Sequence, residues 1–193
     1  DLGKELAGLR SIAASALSFA GISFGGREVL KMADEYGQLM ARLKLVTTTQ
    51  QEFNDTQKSL FRIATETRAP LAETLDLYGK LAPSVQALGG TSAEAAGVVQ
   101  TVSQAIALSG ASATASQAAI LQFGQALSSG PLRGDEFNSI MEQTPALATA
   151  LANGLGVPRG KLRELAEAGE LTSERIITAL RKVAPQVAKD FES

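Results

Sequence analysis

The sequence predicts an all-α fold: a multi-helix domain of short and medium helices with a central charge-free helical hairpin. Three observations carry this expectation. Ala, Leu, Ser, Gln and Gly dominate, aromatic residues make up only 5% and Trp is absent, which suits helices packed through small side chains better than a β-sandwich. Apolar residues recur at helical spacing along most of the chain, and no segment is convincing as a strand. Helix starts and stops punctuate it, as Ser or Thr followed by Glu or Gln three residues on, and as Gly at the ends.

Residues 1–24 are expected to form an amphipathic helix and a Gly-rich linker. Leu2, Leu6, Leu9, Ala13, Ala16 and Ala20 share a face that stops at the Gly21–Gly26 region. The chain opens on Asp1 and closes on Phe191-Glu192-Ser193, so it is expected to be a segment of a longer polypeptide, with the first helix continuing upstream. Residues 12–22 are apolar and small, but the run is shorter than the roughly 20 residues a membrane-spanning helix needs. Lys4, Glu5 and Arg10 make a mixed-sign leader unlike that of a signal peptide.

Residues 25–193 are expected to be the helical domain. A helix over 27–46 carries Val29, Met32, Ala33, Tyr36, Leu39, Met40, Leu43 and Val46 as one stripe, with an extended segment as the alternative for 43–49. Thr49 and Glu52 spell a capping box that opens the next helix. Pro70 suits the first turn of another, lined by Leu71, Leu75, Tyr78, Ala82, Val85 and Leu88, with a kink at Pro83 and a stop at Gly89-Gly90. A second capping box, Thr91 with Glu94, opens a helix that runs to Ser109-Gly110. Thr114 and Gln117 open the following one.

These last two helices form the expected antiparallel hairpin, because only a short connection joins them and no charged residue occurs from Ala95 to Leu132. Beyond Gly130-Pro131, short helices are expected after Asp135, at Thr144-Pro145 and at Pro158. The last helix follows Thr172, with Ile176, Leu180, Val183, Ala184, Val187 and Phe191 on one face.

The chain has no Cys and no His, which excludes disulfides, Cys/His zinc sites, Cys nucleophiles and Ser-His-Asp arrangements. The net charge of −2 gives no general attraction to nucleic acid or anionic lipid. Among carboxylates, Asp135, Glu136 and Glu142 are close in sequence, and a glycosidase pair would need two such groups at a fixed separation across a sugar. Acids at a helix N-terminus explain Asp135 and Glu136 better.

Gly89-Gly90 and the glycines at 154, 156 and 160 lack the Lys-Ser/Thr ending of a phosphate loop and serve as helix stops. Arg159, Lys161 and Arg163 are followed at once by Glu164, Glu167 and Glu170, as on a solvated mixed-charge face. No enzyme, cofactor, metal or specific nucleic-acid partner is expected.

The charge-free hairpin has three readings: insertion in a bilayer, lining a protein tube, or the buried centre of a bundle. Its apolar face comprises Val98, Val102, Ile106, Ile120, Phe123 and Leu127. Glutamines such as Gln100, Gln104 and Gln122 would be costly in lipid without partners, which favours a protein environment.

Several motifs in order resemble the conserved domain of tailed-phage tape measure proteins. They are Ala33-Asp34-Glu35-Tyr36 with Ala41–Val46, Ile63-Ala64 with Thr67-Arg68, Leu77-Tyr78, Gln104-Ala105 with Ser109-Gly110-Ala111, and Gln122–Leu127. The strongest is Ser129-Gly130 with Leu132-Arg133-Gly134-Asp135-Glu136-Phe137-Asn138, followed by Gly154–Val157, Gly160–Ala166 with Gly169, and Leu171-Thr172. The resemblance covers residues 27–180.

It implies a structural and assembly module of a long helical protein that lies in the phage tail lumen, and in the host cytoplasm during assembly. That protein helps set tail length, organises tail assembly and aids genome delivery. The implied partners are the tail tube protein, tail tip or baseplate proteins, tail assembly chaperones and further copies of the chain. The Gly breaks point to a folded terminal module rather than the ruler itself. The first candidate docking surface is Arg133, Gly134, Asp135, Glu136, Phe137 and Asn138. The alternatives are a membrane-active module that inserts the 95–132 hairpin into the host envelope, and a carboxylate-based peptidoglycan hydrolase.

Overall fold

The computed structural model describes residues 26–193 except 129, 132 and 133; the side chains of 26–33, 35 and 134–136 also lie outside that description. The expected helix over 1–24 falls outside it. Two compact units divide the chain at Gln38 and Leu39.

Nine helices and no strands occur among the described residues: α1 (Gly26–Leu45), α2 (Gln50–Thr67), α3 (Leu71–Ala87), α4 (Ser92–Leu108), α5 (Ala113–Ser128), α6 (Gly134–Gln143), α7 (Pro145–Leu155), α8 (Lys161–Glu167) and α9 (Ser173–Glu192). The fold is all-α. α1 remains helical through Leu45, so the extended alternative for 43–45 is not taken. α3 continues as a helix through Pro83.

The caps show why the helices start where they do. Thr91 and Glu94 form a closed capping box at the head of α4, the hydroxyl accepting from the Glu94 amide and the carboxylate accepting from the Thr91 amide at 2.7 Å. At α2 only half of the expected box forms. The Thr49 hydroxyl accepts from the Glu52 amide at 3.1 Å, whereas the Glu52 carboxylate accepts from the amide and hydroxyl of Thr48, each at 2.6 Å. α5 starts earlier than the Thr114 signal implied, because the Ser112 hydroxyl accepts from the Ala115 amide at 3.2 Å. Gly156 ends α7 at φ 71°, a left-handed conformation that a Cβ would strain.

Within the unit 39–193, α4 lies at the centre. It packs against α2, α3, α5, α7 and α9, and is buried on every side, from Ala95, Ala96, Val98 and Val99 through Thr101 to Ile106. Its lack of charge inside the helix follows from that position, since an unpaired charge there would lose its hydration without compensation.

The two charge-free helices are consecutive, joined through a turn with Gly110 at φ 70°, but they are not chiefly each other's partners. α4 packs most extensively on α9 and α3, and α5 on α3. α3 therefore separates much of what the hairpin expectation placed face to face.

The remaining helices close the other side. α9 crosses α7 so tightly at Gly154 that a Cβ there would lie 2.3 Å from the Ala179 carbonyl oxygen. Side chains also tie distant segments to backbone. Ser109 Oγ accepts from the Ala146 amide at 3.1 Å, Ser173 Oγ donates to the Leu127 carbonyl at 2.8 Å, and Gln86 Nε2 donates to the Val46 carbonyl at 2.9 Å.

Candidate functional site

All six side chains of the hairpin's apolar face are core residues in this conformation. Val98, Val102, Ile106, Ile120 and Phe123 are at most 1% exposed, and Leu127 is 5% exposed. They face neighbouring helices, so presenting them to a bilayer or a tube wall would require the bundle to open. Among the described residues no helix is long and apolar enough to cross a membrane.

The candidate docking turn divides. Phe137 is 1% exposed and belongs to the core with Ile140 and Met141, one helical turn of α6. Asn138 is half-buried. The side chains of Arg133, Gly134, Asp135 and Glu136 lie outside the described residues.

The sequence's other candidate chemistry is absorbed into surface ion pairs. Lys161 pairs with Glu164, and Arg163 Nε lies 3.0 Å from Glu167, so the basic cluster is neutralised within α8. The hydrogen bond from Glu164 raises the Lys161 pKa. Glu142, one of the three carboxylates considered for catalysis, is exposed on α6. No group of three or more potential metal-ligating side chains occurs among the described residues.

Composition and motif searching did not reveal the polar junction where the Glu52 carboxylate meets α4. Glu52 accepts a short hydrogen bond from the Ser92 hydroxyl, 40 positions away in sequence, besides its bonds from Thr48. The Ser92 bond first, and the Thr48 bonds next, hold the Glu52 pKa down at about 2. Behind it sits Tyr78, the largest fully buried side chain, whose hydroxyl closes no hydrogen bond. Burial raises the Tyr78 pKa. One carboxylate thus joins the α1–α2 connection, α2 and α4. The cap signal at Thr49 and Glu52 was visible, but nothing local marks Ser92 as a partner.

A second junction joins α1, α3 and α5. Asp76 accepts from Arg42 at 3.1 Å and lies 2.6 Å from Lys80, and the absence of a side chain at Gly124 leaves room for the Lys80 stem. Gln117 Nε2 donates to Glu73 at 2.5 Å. A third contact, Arg181 to Glu94, ties α9 to the head of α4. These arrangements join helices. They place no nucleophile or proton-transfer pair around a common point.

A sequence model described as tape measure protein matches residues 27–193. No curated protein and no solved structure matches the chain.

Proposed function

Because the chain belongs to the tape measure protein family, a structural family of phage tails, we propose that residues 39–193 are a folded end module that anchors the length-setting helices of such a protein during tail assembly. Compactness is the observation that carries this reading. The unit holds roughly 155 residues, which would span about 230 Å as one straight helix at 1.5 Å per residue. Folded, a domain of that size is only about 40 Å across. A segment that folds away most of its length is poorly suited to being a ruler and well suited to being a stop.

In this reading the module docks to tail tip or baseplate proteins, assembly chaperones cover the rest of the protein before the tube protein polymerises around it, and the whole leaves the tail ahead of the genome. The burial of Val98, Val102 and Ile106 supports a protein-bound role over membrane insertion.

Electron microscopy of tails from phage carrying two kinds of lesion tests the proposal. Val102→Asp, which buries an unpaired charge in α4, is expected to abolish tails. In-frame deletions in the helical remainder of the parent protein are expected to shorten tails by about 1.5 Å per residue removed. Normal tails with Val102→Asp, or tails unchanged in length by the deletions, would overturn the proposal.

A further inference from the structure

The charge-free run 95–132 needs two explanations. In α4 burial on all sides accounts for it. In α5 it does not, because Thr114, Gln117, Leu121, Gln122, Gln125 and Ser128 are exposed. All but Gln122 follow each other at three- or four-residue steps, so they form one stripe along the outer side of the helix.

Protein surfaces ordinarily carry about 25–35% charged residues. Other long helices of this domain conform: α2 exposes Asp55, Lys58, Arg62 and Glu66, and α9 exposes Glu174, Arg175, Arg181, Lys182, Lys189 and Asp190. Only at the border of the α5 stripe does a charge approach, where Glu73 accepts from Gln117.

We propose that the outer face of α5 is a self-association surface, on which a second copy of this chain packs its own α5. Charge selects that occupant. A surface that meets its own copy in an isologous contact must be complementary to itself, and every charged residue near its axis meets its like. A neutral stripe of Gln, Thr and Ser around Leu121 avoids that repulsion, since amide side chains both donate and accept. The chain's net charge of −2 and its mixed-charge faces offer no comparable site. An antiparallel pair of α5 helices about an axis near Leu121 sets Gln117 opposite Gln125 and opposes the two helix dipoles favourably.

The interface is small. α5 is about 24 Å long, so the contact covers about half the ~800 Å² per partner of a standard interface. Association of the free chain is therefore weak, on the order of 100 μM. It becomes effective where copies are held together at millimolar local concentration. The inference rests on the α5 surface alone and stands or falls independently of the anchoring role.

Sedimentation equilibrium of the 193-residue chain, carried to about 1 mM, is the test. The expected result is a concentration-dependent rise from monomer to dimer mass. Gln122→Lys should weaken it at least tenfold, an equimolar mixture of Gln122→Lys and Gln122→Glu should restore it, and Thr178→Lys on α9 should leave it unchanged. Circular dichroism establishes that each variant is folded.

The native chain has no cysteine, so Leu121→Cys supplies a lone thiol that should oxidise to a cross-linked dimer, whereas Thr178→Cys should not. Monomer mass throughout, or dimerisation indifferent to Gln122→Lys, overturns the proposal. So does flotation with phosphatidylcholine vesicles that Gln122→Lys abolishes, which would make the stripe a membrane surface.

Discussion

Replacing Gly154 by Ala is the sharpest test of the packing described above. The added Cβ would lie 2.3, 2.7 and 2.8 Å from the carbonyl oxygen, carbonyl carbon and Cα of Ala179, against 3.4–4 Å for ordinary contact. All three are backbone atoms of α9, so no side chain can swing away. α7 and α9 must separate by about 1 Å, loosening the contact of α9 with the centre of the bundle. Overpacking of this kind costs up to about 3 kcal/mol. Ala in place of Gly inside a helix recovers about 1 kcal/mol. The net loss is about 2 kcal/mol, or roughly 4–8 °C in Tm for a chain of this size.

Gly97→Ala is the matched control. Gly97 also lies within a helix, but a Cβ there meets nothing within 4 Å, so the substitution should stabilise by about 0.5–1 kcal/mol. Urea denaturation followed by far-UV circular dichroism gives both values. A Gly154→Ala protein as stable as the parent would refute the close crossing of α7 and α9.

Three further outcomes follow from the polar groups and turns. Glu52, with its pKa lowered from 4.5 to about 2, contributes stability that is fully present above its unfolded pKa and is lost as pH falls from about 4.5 to about 2. Glu52→Gln should destabilise by about 1 kcal/mol at neutral pH and flatten the acid limb of a stability-versus-pH curve; an unaltered limb would mean the Ser92 and Thr48 bonds do not persist in solution. Tyr78→Phe removes a buried hydroxyl that closes no hydrogen bond, so it should be neutral or stabilising by up to about 1 kcal/mol; a larger loss in denaturant titration would show that Thr56 or Ser92 satisfies it. Gly156→Ala, at φ 71°, should cost about 1 kcal/mol, read as a lower midpoint in thermal melts.

The legible parts of this fold were the ones governed by neighbours in sequence. The closed box at Thr91 and Glu94, the hydroxyl cap at Thr172, the Pro145 start of α7 and the apolar face of α9 depend on residues within a turn or two of each other. Failures came where a distant group competed. Glu52 was captured by Ser92 and Thr48 instead of closing its own box. Gln117 turned to Glu73 rather than capping its helix.

Absence of charge showed that 95–132 was unusual but could not say which helix would surround which, because pairing is a property of the whole bundle. The same holds for the candidate surfaces. Phe137 was placed in the docking turn by motif, while its spacing to Ile140 and Met141 marked it as core. The neutrality of α5 acquires meaning only once its exposed face is separated from its buried one.

The position of α4 also has a consequence for synthesis. Its burial is completed by α9, the last helix of the chain, so a ribosome must finish nearly the entire sequence before the central helix can be enclosed. Throughout that interval the nascent protein displays an apolar, nearly uncharged helix with nothing to shield it, and aggregation competes with folding. The order of helices along the gene thus sets a window of vulnerability, which begins when α4 emerges and closes when α9 arrives.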